Sequence, residues 1–165
     1  MKKLLAILLL TVGLGVSAQT EKGTVVIETA VLNNSAPSTG IGFTVDENDY
    51  TTVNVGLNGG YFVAPNFALK AGLGYGNTNG DNQYVAFRVG TEYFIASKYA
   101  LETAVNVVSF QEEVINLSHF SAQLGYMWYV APNFAVKPLV RYNIALNEES
   151  TSNLAFGVGF SLHLR

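Results

Sequence analysis

Seven ionisable side chains fall inside long stretches of alternating apolar residues: Glu28, Lys70, Arg88, Glu92, Glu102, Lys137 and Arg141. Their types allow ion pairing, proton relay or the lining of an ion path. Measured from the nearest turn signals, Lys70, Glu92, Glu102 and Lys137 each lie about five residues into their segments, and Arg88 and Arg141 about nine. If neighbouring segments keep these levels together, two bases and two acids form a ring with two arginines above it. Charges in a narrow interior must be paired or hydrogen-bonded. Asn54, Asn106, Asn143 and Gln123 can supply the remaining partners.

A second group of charges sits in the polar connections. Eight of the twelve acids are Asp46, Glu47, Asp49, Asp81, Glu112, Glu113, Glu148 and Glu149, with no Lys or Arg among them. A solvated loop surface explains them most simply; divalent-cation binding or contact with a basic partner is the sharper alternative. Asp46-Glu47-Asn48-Asp49 lacks the glycine and the spacing of an EF-hand loop, so no metal site is expected. Catalytic motifs are missing. His119 and Ser121 share a face, but no third partner is evident for hydrolysis. Gly72-x-Gly74-x-Gly76 has strand parity with no helix after it, so it is not a phosphate loop. The expectation is a non-enzyme without a cofactor. Asn116-Leu117-Ser118 matches a glycosylation triplet and carries little weight.

The elements that must position these charges are strands. Apolar residues recur at every second position after Gln19, and turn signals cut the chain at strand-length intervals. Strands are expected near 23–32, 50–63, 67–76, 82–95, 99–111, 116–130, 134–147 and 153–164. Gly40 to Val45 also looks extended and would lengthen the first hairpin. Three related turns follow Tyr61-Phe62-Val63-Ala64, Tyr93-Phe94-Ile95-Ala96 and Trp128-Tyr129-Val130-Ala131. They recur after roughly 32–35 residues, the length of a two-strand unit in a meander. The connections at the other end are polar and some are longer: 33–50, 77–82, 112–115 and 148–152. Short turns at one end and longer loops at the other match a transmembrane barrel.

Sorting each strand by parity separates two faces. In 82–95, Val85, Phe87, Val89, Tyr93 and Ile95 oppose Tyr84, Ala86, Arg88, Glu92 and Phe94. In 134–146, Phe134, Val136, Val140, Tyr142 and Ile144 oppose Lys137, Arg141 and Asn143. Every mid-strand charge lies on one face. A Lys or Arg facing lipid at mid-membrane costs about 2–4 kcal/mol, so an uncharged face is what a bilayer enforces. Tyr61, Phe67, Tyr93, Tyr99, Trp128 and Phe134 flank the short turns, with Tyr75 and Tyr142 near the other end, resembling two interfacial girdles. Charged residues make up only 13% of the chain, about half the share usual for a soluble domain. These features weigh against a soluble lipocalin-like barrel with its apolar face inward.

The fold class expected is all-β, an eight-stranded antiparallel up-and-down transmembrane β-barrel. Eight strands enclose roughly the volume that side chains fill. The ring therefore reads as a structural plug in preference to an open path.

Residues 1–18 read as a cleaved signal peptide: Lys2 and Lys3, an apolar run from Leu4 to Val16, then Val16-Ser17-Ala18 for the peptidase. That run is shorter than the roughly 20 residues of a spanning helix. Residues 19–165 form one barrel domain. Loss of the two lysines takes the formal charge from −3 to −5, which excludes nucleic acid as a natural partner. With no cysteine, neither a disulfide nor a thiolate metal site exists.

Lys22-Gly23-Thr24, the hairpin from Val55-Gly56 through Gly60-Tyr61-Phe62-Val63-Ala64-Pro65-Asn66-Phe67-Ala68-Leu69, and the closing Phe160-Ser161-Leu162-His163-Leu164 resemble the small outer-membrane β-barrel family of OmpA-like and OmpX-like domains. The resemblance spans the mature chain. It implies an outer-membrane location in lipid, insertion by the barrel-assembly machinery, a monomer, and no shared catalytic residues. The chain ends in Leu164-Arg165 where that family's terminal signal has an aromatic residue. The function expected is a non-enzymatic membrane barrel, structural or binding and adhering through its acidic outer loops. A narrow channel for small solutes and a soluble periplasmic barrel holding an apolar ligand are the alternatives.

Overall fold

Alternation of apolar and polar residues produces strands that each bury one face, and the chain closes on itself into a barrel. The computed structural model describes residues 17–33, 39–45, 51–78, 82–111 and 116–165. A short 3₁₀ helix, Ser17–Thr20, precedes ten strands. They are β1 (Val25–Leu32), β2 (Gly42–Val45), β3 (Thr51–Ala64), β4 (Phe67–Thr78), β5 (Asn82–Ile95), β6 (Tyr99–Phe110), β7 (Asn116–Tyr126), β8 (Trp128–Ala131), β9 (Phe134–Ala145) and β10 (Asn153–Leu164). From β2 to β7 and from β8 to β10 neighbours in sequence pair antiparallel, β7 pairs with β9, and β1 closes the circle by pairing with both β10 and β3. Strands β7 and β8 keep one register against β9 on either side of Met127, so they form a single stave. The wall therefore has eight staves, an up-and-down transmembrane barrel. The stretch 58–60 runs straight through β3 as strand.

Strand β2 pairs only with the outer end of β3, from Gly42↔Asn54 to Val45↔Thr51. The segment leading into it wedges between β1 and β3, where Val31 bridges Ile41. Thr39 is buried there. Its Oγ1 donates to Asn58 Oδ1 at 2.8 Å, and its backbone lies where a Cβ on Gly56 would stand. Only glycine at position 56 allows this close approach.

The two faces separate as parity predicts. Leu73, Val89 and Trp128 are 61%, 66% and 60% exposed, while Glu92 and Lys137 are fully enclosed. A barrel that turns its large apolar side chains outward and its charges inward is matched to hydrocarbon, not to water. A soluble barrel with an apolar interior does not fit this arrangement. Among the described residues no helix is long and apolar enough to cross a membrane.

At the short-turn end the interior is sealed. Val26, Phe62, Ala68, Phe94, Ala100, Met127 and Ala135 form one apolar cluster with Tyr129 packed on it. Residues 19–24 lie across this mouth. Thr20 Oγ1 donates to Asn66 Oδ1 at 2.6 Å, and the Asn66 amide donates to the Thr20 carbonyl at 2.7 Å. A ring nitrogen of His163 meets the Gln19 carbonyl at 2.9 Å.

Candidate functional site: a buried charge network in the lumen

Five staves each send charged side chains inward at the middle of the barrel. Glu28 comes from β1, Lys70 from β4, Arg88 and Glu92 from β5, Glu102 from β6, and Lys137 and Arg141 from β9. All seven are buried. The strands place them by parity alone, since each residue occupies an inward position of a regular ladder.

Two ammonium groups hold the centre. Lys70 Nζ donates to Glu28 Oε1 at 3.0 Å, to Glu92 Oε2 at 3.1 Å and to Glu102 Oε2 at 2.8 Å. Lys137 Nζ donates to both oxygens of Glu28 at 2.7 Å and to Glu92 Oε1 at 2.8 Å. Arg88 grips Glu102 through Nε and Nη2 at 3.0 and 2.7 Å, and its Nη1 donates to Asn106 Oδ1 at 2.6 Å. Three hydrogens on each ammonium match three acceptors, so both lysines are saturated. Buried charges persist only when paired and hydrogen-bonded in this way.

Arg141 departs from the expected ion pairing. It stands nearer the outer end than the carboxylates, and its Nε donates to the neutral Gln123 Oε1 at 2.9 Å. Among the described residues no carboxylate pairs with it. Gln123 links the two levels, because its Nε2 donates to Glu102 Oε2 at 3.1 Å. Asn106 passes the network on to Ser121 Oγ at 3.1 Å. Asn54 and Asn143 bond elsewhere, to the Gly40 carbonyl and to Asn153 Oδ1.

The sequence reading missed three contributors. Ser161 Oγ donates to Glu28 Oε2 at 2.8 Å. Gly125 and Gly159 flank the stem of Lys137, and a Cβ on Gly125 would stand 2.8 Å from its Cγ. Their inward parity was the available signal, but register across three strands is needed to see that they face Lys137.

Three carboxylates from Glu28, Glu92 and Glu102 converge closely enough to hold a cation. The ammonium groups of Lys70 and Lys137 already sit against them, so the cation is supplied by the chain itself. His119 and Ser121 share a face but do not bond each other. His119 Nε2 meets the Thr151 carbonyl at 3.2 Å, and Ser121 Oγ donates to the Ala104 carbonyl at 3.3 Å. No nucleophile–base pair is assembled there. Of the acidic loop residues, Glu148 and Glu149 are exposed at the tip between β9 and β10. Asp46, Glu47, Asp49, Asp81, Glu112 and Glu113 lie outside the described residues.

No family model and no curated protein matches the chain. Solved structures do. The N-terminal β-barrel domain of Pseudomonas aeruginosa OprF aligns with a TM-score of 0.56 at 13% identity, covering 87% of this chain and 98% of that one. The fold is that of the small outer-membrane β-barrels. The outer membrane protein OprG of P. aeruginosa aligns with a TM-score of 0.56 at 10% identity over 88% of this chain and 97% of its own. Ail of Yersinia pestis, determined in a phospholipid bilayer nanodisc, aligns with a TM-score of 0.52 at 13% identity over 87% and 100%. At such identities the likeness to all three lies in the fold.

Proposed function

We propose that this protein is a closed outer-membrane barrel that serves as a membrane-held scaffold for its outer loops, with no catalytic and no channel activity. One observation carries the reading: the lumen is crossed by a saturated network of Glu28, Lys70, Arg88, Glu92, Glu102 and Lys137. Below it, Phe62, Phe94 and Met127 add an apolar seal. Conduction would require a path through both layers. Insertion by the barrel-assembly machinery, export through cleavage after Ala18 and a monomeric state belong to the same reading. The acidic outer loops, Glu148 and Glu149 among them, are its binding or adhesion surface for basic partners.

Membrane fractionation is the first test. The protein should stay with carbonate-washed membranes and migrate differently on gels before and after heating. Planar-bilayer recordings of the refolded protein should show no conductance steps. Regular steps in the native protein would establish the narrow-channel alternative in place of the scaffold.

A further inference from the structure

Among the described residues the lumen's charges do not balance. The described interior holds three carboxylates, from Glu28, Glu92 and Glu102, against four cations, from Lys70, Arg88, Lys137 and Arg141. The two lysines and Arg88 are each committed to carboxylates. Arg141 is left over. It is only 6% exposed, and one of its five N–H groups is used, on a neutral amide.

An arginine cannot shed its proton in a protein, so this charge stays. A buried cation with no carboxylate in contact is held at a cost, Glu102 and Glu28 reach it only from beyond salt-bridge distance, and a nearby second cation adds to the cost. Arg88 is that neighbour on the same level of the lumen. Its own N–H groups point away, to Glu102 and Asn106. The free edge of the Arg141 guanidinium is a planar fork, the shape that grips small anions. Outward of it Ser121, Asn143 and His119 turn inward on the β7–β9 side, while Leu32, Tyr84, Val108 and Ala155 make the rest of the wall apolar. A large molecule would not fit an interior of eight strands, and a small anion fits beside the polar β7–β9 side.

We propose that the outer half of the lumen binds one small monovalent anion, a halide or a carboxylate-sized oxyanion, on the unpaired guanidinium of Arg141. The anion completes the charge balance of the buried network and so couples barrel stability to the anions outside. This goes beyond the scaffold reading and does not depend on what the outer loops bind.

The test is urea unfolding of the refolded protein in phosphocholine micelles at fixed ionic strength. Sodium gluconate is replaced stepwise by sodium chloride in one arm and by sodium nitrate in another. The native midpoint should rise and saturate in at least one arm, and the arm that saturates at lower concentration tells halide from oxyanion. Arg141→Gln should lose the saturating rise, while Lys22→Gln, remote at the other mouth, should keep it. A midpoint independent of the anion in the native protein overturns the proposal, as does an equal rise in Arg141→Gln. Should Arg141→Gln fail to fold, crystals of the native protein grown in bromide and in nitrate decide the matter. An anomalous bromide peak beside Arg141, or nitrate density there in crystals grown in nitrate, supports the site, and the lack of both overturns it.

Discussion

Lys137 and Glu28 lie 109 residues apart in sequence, yet one ammonium reaches both oxygens of one carboxylate at 2.7 Å. Their strands, β9 and β1, are not neighbours; β10 stands between them. The pair therefore spans the seam where the barrel closes. Glu28→Gln removes one carboxylate from both lysines and leaves the interior two charges positive. Loss of one partner in a buried pair costs about 3–5 kcal/mol. Urea unfolding in lipid vesicles should show a loss of that order. The double variant Glu28→Gln with Lys137→Met should recover a substantial part of it, giving a coupling energy well above zero in the cycle. Additive losses would mean that the two groups do not support one another.

Gly125 controls the path of the Lys137 stem. A Cβ there would stand 2.8 Å from Cγ and 2.9 Å from Cδ of Lys137. Gly125→Val forces the lysine off its rotamer and should cost about 1–3 kcal/mol, the usual penalty of overpacking. Gly59 has open space around its missing Cβ. Gly59→Val should change the midpoint far less, and equal effects at the two sites would remove the steric argument.

The wall of this barrel was readable from single-letter parity because a lipid-facing strand tolerates charge on one face only. Val89 and Arg88 are adjacent in sequence and face opposite solvents. Levels along the lumen were harder. Lys70, Glu92, Glu102 and Lys137 share a depth within their strands, and the structure brings them together. Glu28 reaches the same ring, and of the two arginines expected above it Arg88 bonds Glu102 while Arg141 stands apart, because strand tilt and shear displace levels around the circle. The seal at the short-turn end was not foreseen. Phe62 and Phe94 have inward parity, but a sequence does not say that residues 19–24 fold across the mouth above them.

The two-layer closure makes a specific statement about conductance. Arg88→Ala removes one side chain from the charged layer and leaves Phe62, Phe94 and Met127 in place. The single variant should remain silent in planar bilayers. Arg88→Ala combined with Phe62→Ala and Phe94→Ala opens both layers and should produce measurable steps. Conductance in the single variant would show that the apolar layer does not seal.

The outward face should reject charge where the inward face requires it. Val89 is 66% exposed at the middle of β5. Val89→Arg places a guanidinium against hydrocarbon and should cost about 2–4 kcal/mol in vesicle unfolding. Lys22, at the short-turn mouth, is exposed, and Lys22→Arg should be neutral. A tolerated Val89→Arg, with the folded form still migrating in its compact position on gels, would place that face in water.

The turn between β5 and β6 holds two residues in the left-handed region, Ala96 at φ 51° and Ser97 at φ 55°. They belong to a three-residue loop, 96–98, between the paired Ile95 and Tyr99, and a side chain in the left-handed region costs about 1–2 kcal/mol that glycine does not incur. Replacing Ala96 by Gly relieves that strain, and the looser unfolded chain takes back about 0.4–1 kcal/mol. Ala96 is exposed, so nothing else is lost, and Ala96→Gly should raise the urea midpoint by a net amount near 0.5–1 kcal/mol. Ser97 differs because its hydroxyl donates to Asn66 Oδ1 at 3.3 Å and lies 3.3 Å from Thr20 Oγ1. Ser97→Gly gives up these ties to the segment that covers the mouth and should show no net gain. Comparing the two variants in the same vesicles separates backbone strain from mouth closure, and a lowered midpoint for Ala96→Gly would mean that this turn carries no strain to relieve.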